Sequence, residues 1–84
     1  MTEVQVRYFA SIREGLGRGA EVVQTQAGTL GGLRDELLAR GGAYAEHLAR
    51  GRAVRMALNQ QMSDEAAALT AGCEVAFFPP VTGG

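Results

Sequence analysis

One stretch of the chain carries a helical stripe, and the rest of the sequence has to supply something for it to cover. Leu30, Leu33, Leu37 and Leu38 follow the i, i+3, i+7, i+8 spacing that lines one face of a helix. Thr29 stands just before the stripe, where its hydroxyl can cap the helix N-terminus, and Gly41 and Gly42 stop it. Gly31 and Gly32 weaken the first turn by about 1 kcal/mol each relative to alanine.

On either side of this helix the pattern changes to period two. Residues 3–9, EVQVRYF, place Val4, Val6 and Tyr8 on one face of a strand and Gln5, Arg7 and Phe9 on the other. Phe9 is the anomaly, an aromatic on the polar face. A second strand is predicted around Glu21 to Thr25, reached through glycines 15, 17 and 19 and paired with the first as a hairpin. Between the two, Ser11 and Glu14 have capping-box spacing, with Ile12 and Leu16 one turn apart and Gly17 ready to end it, so a single helical turn is expected. Residues 43–50, AYAEHLAR, form either a short helix or an ordered loop, with His47 on the solvated surface. Val54, Met56 and Leu58 alternate with Arg55, Ala57 and Asn59 ahead of an NQQ turn, and Ala66 to Ala68 favour a further helical turn within 63–69. The last strand is predicted from Glu74 to Phe78, with Val75 and Phe77 on one face and Ala76 and Phe78 on the other. Pro79 has no N–H to donate and must end it.

Strand, strand, helix, strand, strand, with a sheet on one side of a leucine-faced helix, predicts an α+β fold that a β-grasp roll accommodates: a domain over 1–78 and an extended tail over 79–84. At 84 residues, 46% apolar and 20% charged, the chain has room for one core and no second domain. A net charge of −1 without a basic run offers nucleic acid or an anionic membrane no electrostatic handle. No apolar run approaches a membrane span, and MTEVQVR lacks the order of a signal peptide, so a cytoplasmic protein is expected. The single cysteine, Cys73, excludes an internal disulfide, and with one histidine no zinc site can be built from thiolates and imidazoles. All eight basic residues are arginine, so no side-chain amine is available for acylation.

The C-terminal run FFPPVTGG reads as chemistry. Gly83 and Gly84 have no Cβ, so that end can thread a channel too narrow for side chains and present an unobstructed carbonyl. Pro79 and Pro80 hold φ near −65°, which lowers the entropy lost on ordering the tail, and Pro80 to Gly84 reaches about 17 Å at full extension. A terminal carboxylate is ionised at neutral pH and is a poor electrophile, so acyl chemistry at Gly84 requires activation by another protein.

VRYFASIRE, the leucine helix, VRMALNQQ and the closing L-x-x-G-x-E-V-A-F-F-P-P-V-T-G-G from Leu69 onward resemble the sulfur-carrier small subunits of molybdopterin synthase, in the ubiquitin-like β-grasp superfamily. One departure is Cys73, where that family commonly has Asp; a structural thiol is expected there. The resemblance implies a non-catalytic subunit whose Gly84 is adenylated at the expense of ATP by an E1-like enzyme, then thiocarboxylated by a sulfur donor protein. It implies assembly with the synthase large subunit into a heterotetramer, where Gly84 gives sulfur to a cyclic pyranopterin monophosphate. Pro79, Pro80, Val81, Thr82 and Gly83 form the tail, this chain binds no cofactor, and catalytic groups belong to the large subunit. If the first and last strands are neighbours, Phe9 and Phe78 form one exposed patch, extended by Met62, that either docks these partners or completes a small core of its own. A carrier for thiamin or cysteine synthesis, a ubiquitin-like modifier and a plain binding module are the alternative readings.

Overall fold

The first and last strands of the sequence lie side by side at the centre of one sheet. A computed structural model describes residues 1–79. It contains β1 (Thr2–Tyr8), α1 (Ala10–Leu16), β2 (Ala20–Thr25), α2 (Leu30–Leu38), α3 (Gly42–His47), β3 (Arg55–Leu58), β4 (Gln61–Ser63) and β5 (Glu74–Phe78). The sheet order is β2-β1-β5-β3-β4. β1 pairs antiparallel with β2, from Thr2 opposite Thr25 to Arg7 opposite Ala20, and parallel with β5, from Gln5 opposite Glu74 to Tyr8 opposite Phe77. The parallel pair requires a crossover, and the segment containing α2 supplies it.

Period two and the leucine stripe meet in the core as expected. Val4, Val6, Val75 and Phe77 are fully buried on one face of the sheet, against Leu30, Leu33 and Leu37 of α2. Leu38 is only partly buried at the edge of this cluster. The N-terminus of α2 has every early donor satisfied. The Thr29 hydroxyl accepts from Gly32 N–H, while Leu30 and Gly31 N–H donate to the carbonyls of Ala67 and Glu65. Those bonds explain two differences from the sequence reading. Residues 63–69 form no helix; a tight turn at 65–66, in which Ala67 N–H donates to the Asp64 carbonyl and Ala66 N–H to the Asp64 carboxylate, leads to a bridge between Ala68 and Thr29 at the start of α2. Gly31, in turn, is there for close approach: a Cβ would lie 3.0 Å from the Glu65 Cβ and 3.2 Å from its carbonyl oxygen.

Two further corrections concern boundaries. α1 begins at Ala10, with Phe9 as N-cap and no side-chain cap, so the Ser11–Glu14 capping box does not form and the helix has about two turns in place of one. The cause is that the Phe9 carbonyl, leaving the strand, already accepts from Ile12 and Arg13 N–H. After the Asn59–Gln60 turn, whose residues both have positive φ, the chain pairs back as a fifth strand, β4. Residues 43–50 resolve in favour of a short helix, α3.

Two polar clusters tie the helices down. Buried Arg34 on α2 donates from Nε to the Leu48 carbonyl at 2.8 Å and from Nη2 to the Ala49 carbonyl at 3.0 Å, fixing the segment that leaves α3. On the other side, the Glu21 carboxylate accepts from the hydroxyls of Tyr8 at 2.8 Å and Tyr44 at 2.7 Å and pairs with Arg40 at 3.0 Å. Burial works to raise the Glu21 pKa, but hydrogen bonds from Tyr44, Arg40 and Tyr8 outweigh it and hold the carboxyl below its ordinary value of 4.5. Its contribution to stability is therefore fully present above that value and lost as pH falls through the lower folded-state pKa. Glu21→Gln is expected to cost about 1–2 kcal/mol at neutral pH. In urea titrations at several pH values its stability should fall less steeply than the parent's below pH 4.5.

Candidate functional site

The sheet has a second face, which α2 does not cover, and the alternation of β5 decides what it carries. Val75 and Phe77 point into the core; Ala76 and Phe78 point the other way. On the neighbouring β1 the same alternation turns Tyr8 inward and the next residue outward. The Phe9 N–H donates to the Phe77 carbonyl at 3.1 Å, continuing the ladder by one step. The rings of Phe9 and Phe78 consequently meet edge to face, with centroids 6.3 Å apart and planes at 83°. Phe9 remains 42% exposed and Phe78 half-buried, so the expected adjacency exists.

Met62 joins this surface through register. Arg7 lies opposite Ala76, Ala76 opposite Ala57, and Ala57 opposite Met62, so the four share one row on the open face. Ala57 and Ala76 form a shallow floor between Phe78 and Met62, which stands two strand spacings from β5, about 10 Å, and is 59% exposed. An apolar strip thus runs from Phe9 across Phe78 and the alanines to Met62.

Pro79 follows Phe78 and is half-buried, lining a cleft of about 230 Å³ on the helix side together with Ser11, Ile12, His47, Arg52, Ala53 and Val54. Pro80, Val81, Thr82, Gly83 and Gly84 lie outside the described residues. Cys73 is 4% exposed, packed in the core at the start of β5, and so stands at the opposite end of that strand from Pro79. This agrees with a structural thiol.

His47 needs correcting. Its side chain is only 19% exposed and packs on α1, where a Cβ placed on Gly15 would fall 2.0 Å from Nε2. The extra turn of α1 supplies that surface. No sequence signal pointed to the cleft, because Ser11, His47, Arg52 and Pro79 come from four separate segments and share no spacing.

The central parallel pair, the single long crossover helix and the outward aromatics at the end of β5 define a ubiquitin-like β-grasp protein. The chain belongs to the ThiS family, whose model matches residues 6–84. It is 40% identical over 81 residues to the molybdopterin synthase sulfur carrier subunit of Escherichia coli K12, covering 96% of this chain and 99% of that protein. It is 38% identical over 86 residues to the subunit of the same name from Mycobacterium tuberculosis, covering all of both. Among solved structures it resembles SAMP1 from Haloferax volcanii, with a TM-score of 0.78 and 25% identity over 98% of this chain and 99% of that one. It also resembles a chain in the complex of subunits 1 and 2 of molybdopterin-converting factor from Helicobacter pylori, with a TM-score of 0.71 and 27% identity over 99% and 100% of the two chains. Among the described residues no helix is long and apolar enough to cross a membrane.

The two adjacent phenylalanines separate folding from surface. Phe77→Ala should cost about 3–5 kcal/mol in denaturant unfolding, whereas Phe78→Ala should cost only about 1–2 kcal/mol because Phe77 is fully buried and Phe78 is not. Equal losses would mean that Phe78 is a core residue.

Proposed function

We propose that this chain is the sulfur carrier subunit of a molybdopterin synthase, and that its carrier atom sits on Gly84. The observation that carries the reading is the identity of 36–40% over nearly the full length to proteins bearing that name. The site chemistry supports it. A carboxylate resists attack until its oxygen becomes a leaving group, and transfer of AMP from ATP by an activating enzyme makes it one. Sulfide released by a sulfur donor then attacks the acyl carbon, a C–S bond forming as the C–O bond breaks and AMP leaves, and the thioacid loses its proton to give a thiocarboxylate. In the synthase large subunit that sulfur passes to a cyclic pyranopterin monophosphate. A dithiolene holds two sulfurs, so two charged carriers serve each product.

In this reading the strip of Phe9, Phe78 and Met62 docks the large subunit and the activating enzyme in turn. The body supplies affinity while Pro79 to Gly84 enters the partner's channel. A protein modifier is the second reading, favoured by the likeness to SAMP1, and the same activated terminus would serve it.

Intact mass spectrometry after incubation with ATP, the activating enzyme and a sulfur donor separates the two. The carrier should gain the mass difference between sulfur and oxygen, whereas a modifier should give ladders of conjugates. Deleting Gly84 should abolish the mass gain, and Cys73→Ser should leave it intact. Loss of the gain in Cys73→Ser with the fold preserved would move the sulfur centre to the thiol.

A further inference from the structure

The arginines are not distributed evenly between paired and unpaired states. Arg7, Arg18, Arg34, Arg40 and Arg50 each have a carboxylate oxygen within 4.0 Å; Arg13, Arg52 and Arg55 have none among the described residues. Arg52 is also the one of these three that lines a cleft, the space of about 230 Å³ bounded by Ser11, Ile12, His47, Ala53, Val54 and Pro79. Its backbone is held in place: Arg52 N–H donates to the Ala49 carbonyl, and Ala49 is in turn fixed by buried Arg34. His47, which also lines the cleft, has a Glu46 carboxylate oxygen 3.9 Å from Nε2. Among the described residues the cleft therefore offers a guanidinium with no carboxylate within 4.0 Å and a hydroxyl, beside the apolar side chains of Ile12 and Val54.

Its size argues against a small-molecule ligand, whose sites occupy roughly 300–1,000 Å³, and suits one inserted side chain. Its position selects whose. Pro79 belongs both to this cleft and to the root of the tail, while Phe78, one residue earlier, points to the opposite face. A protein that swallows the tail must close around Pro79 and so reach both sides.

We infer that the cleft receives an acidic side chain of the protein that docks on Phe9 and Phe78, with Arg52 as its ion-pair partner and Ser11 as a second donor. This rests on the docking reading given above. The cation at the tail root then fixes how the body is oriented on its partner, a task the near-featureless apolar strip performs poorly.

The test measures binding of the full chain to the purified large subunit at low and moderate salt for the parent, Arg52→Gln, Arg52→Lys, Ala53→Leu and Phe78→Asp, each checked for folding by circular dichroism. Arg52→Gln is expected to weaken binding by about 10-fold or more and to flatten its salt dependence. Arg52→Lys should recover part of the loss, and Ala53→Leu, which fills the cleft without touching the charge, should weaken binding too. If Phe78→Asp disrupts binding while Arg52→Gln and Ala53→Leu stay within about 3-fold of the parent, about 0.65 kcal/mol, the cleft inference is overturned and the docking reading stands. If Phe78→Asp also binds normally, the docking reading itself fails. A shift of the Arg52 Nε–H resonance on removing Gly83 and Gly84, with no partner present, would identify the chain's own terminus as the occupant and overturn the inference.

Discussion

Everything in this molecule depends on the parallel pairing of β1 with β5, which joins the two ends of the sequence at the centre of one sheet. Parallel neighbours cannot be linked by a tight turn, so the intervening chain must cross over one face, and α2 with its three fully buried leucines covers that face alone. The other face is left open. The same register that sets Tyr8 beside Phe77 in the core brings Phe9 and Phe78 together outside it. A one-residue slip of β5 would set Phe78 beside Tyr8 in the core and turn Phe77 out beside Phe9. Core and surface are thus specified by one set of hydrogen bonds.

The features legible in the sequence were those written in local periodicity. The leucine stripe, the Thr29 cap, the final strand from Glu74 to Phe78 and the outward position of Phe9 all follow from spacing, and all are present in the fold. The misreadings share a physical cause, which is competition from distant backbone groups. Ala66 to Ala68 favour helix, but their neighbourhood is committed to supplying the carbonyls of Glu65 and Ala67 to the first turn of α2. Ser11 and Glu14 have the spacing of a cap, but the strand carbonyl of Phe9 starts the helix before they can. His47 looked solvated because the glycine it rests on, Gly15, is remote in sequence. The same remoteness hid Arg52 and the cleft, whereas the candidate terminus was readable because consecutive residues encode it.

The burial of Arg34 shows how the helix side is kept in register with the strand side. Burial pulls its pKa down, and Glu65 works against that from 3.5 Å. Its stronger bonds are to two backbone carbonyls just past α3, those of Leu48 and Ala49, the second of which also accepts from Arg52 N–H. An arginine is suited to this because its planar fork can satisfy two carbonyls while remaining charged. The loop that follows brings Arg52 to Val54 to the cleft that they line with Ser11, Ile12 and Pro79.

A tail that starts from a central strand has a fixed origin, and this bears on how a carrier can deliver one atom accurately. β5 is hydrogen-bonded to β1 on one side and β3 on the other, and the ladder stops at Pro79 for a chemical reason, the missing N–H. Beyond it, ordering five residues inside a partner costs about 1–2 kcal/mol each, less where proline already restricts φ. Glycines make few contacts with which to offset that cost. On the proposed function the binding free energy would come from the body, and the contacts best placed to set the depth of Gly84 would be those nearest the exit. In the docking proposed above, the aromatic pair on one side of the root and the arginine cleft on the other are so placed, and two contacts on opposite faces would fix a rotation that a single apolar strip leaves free.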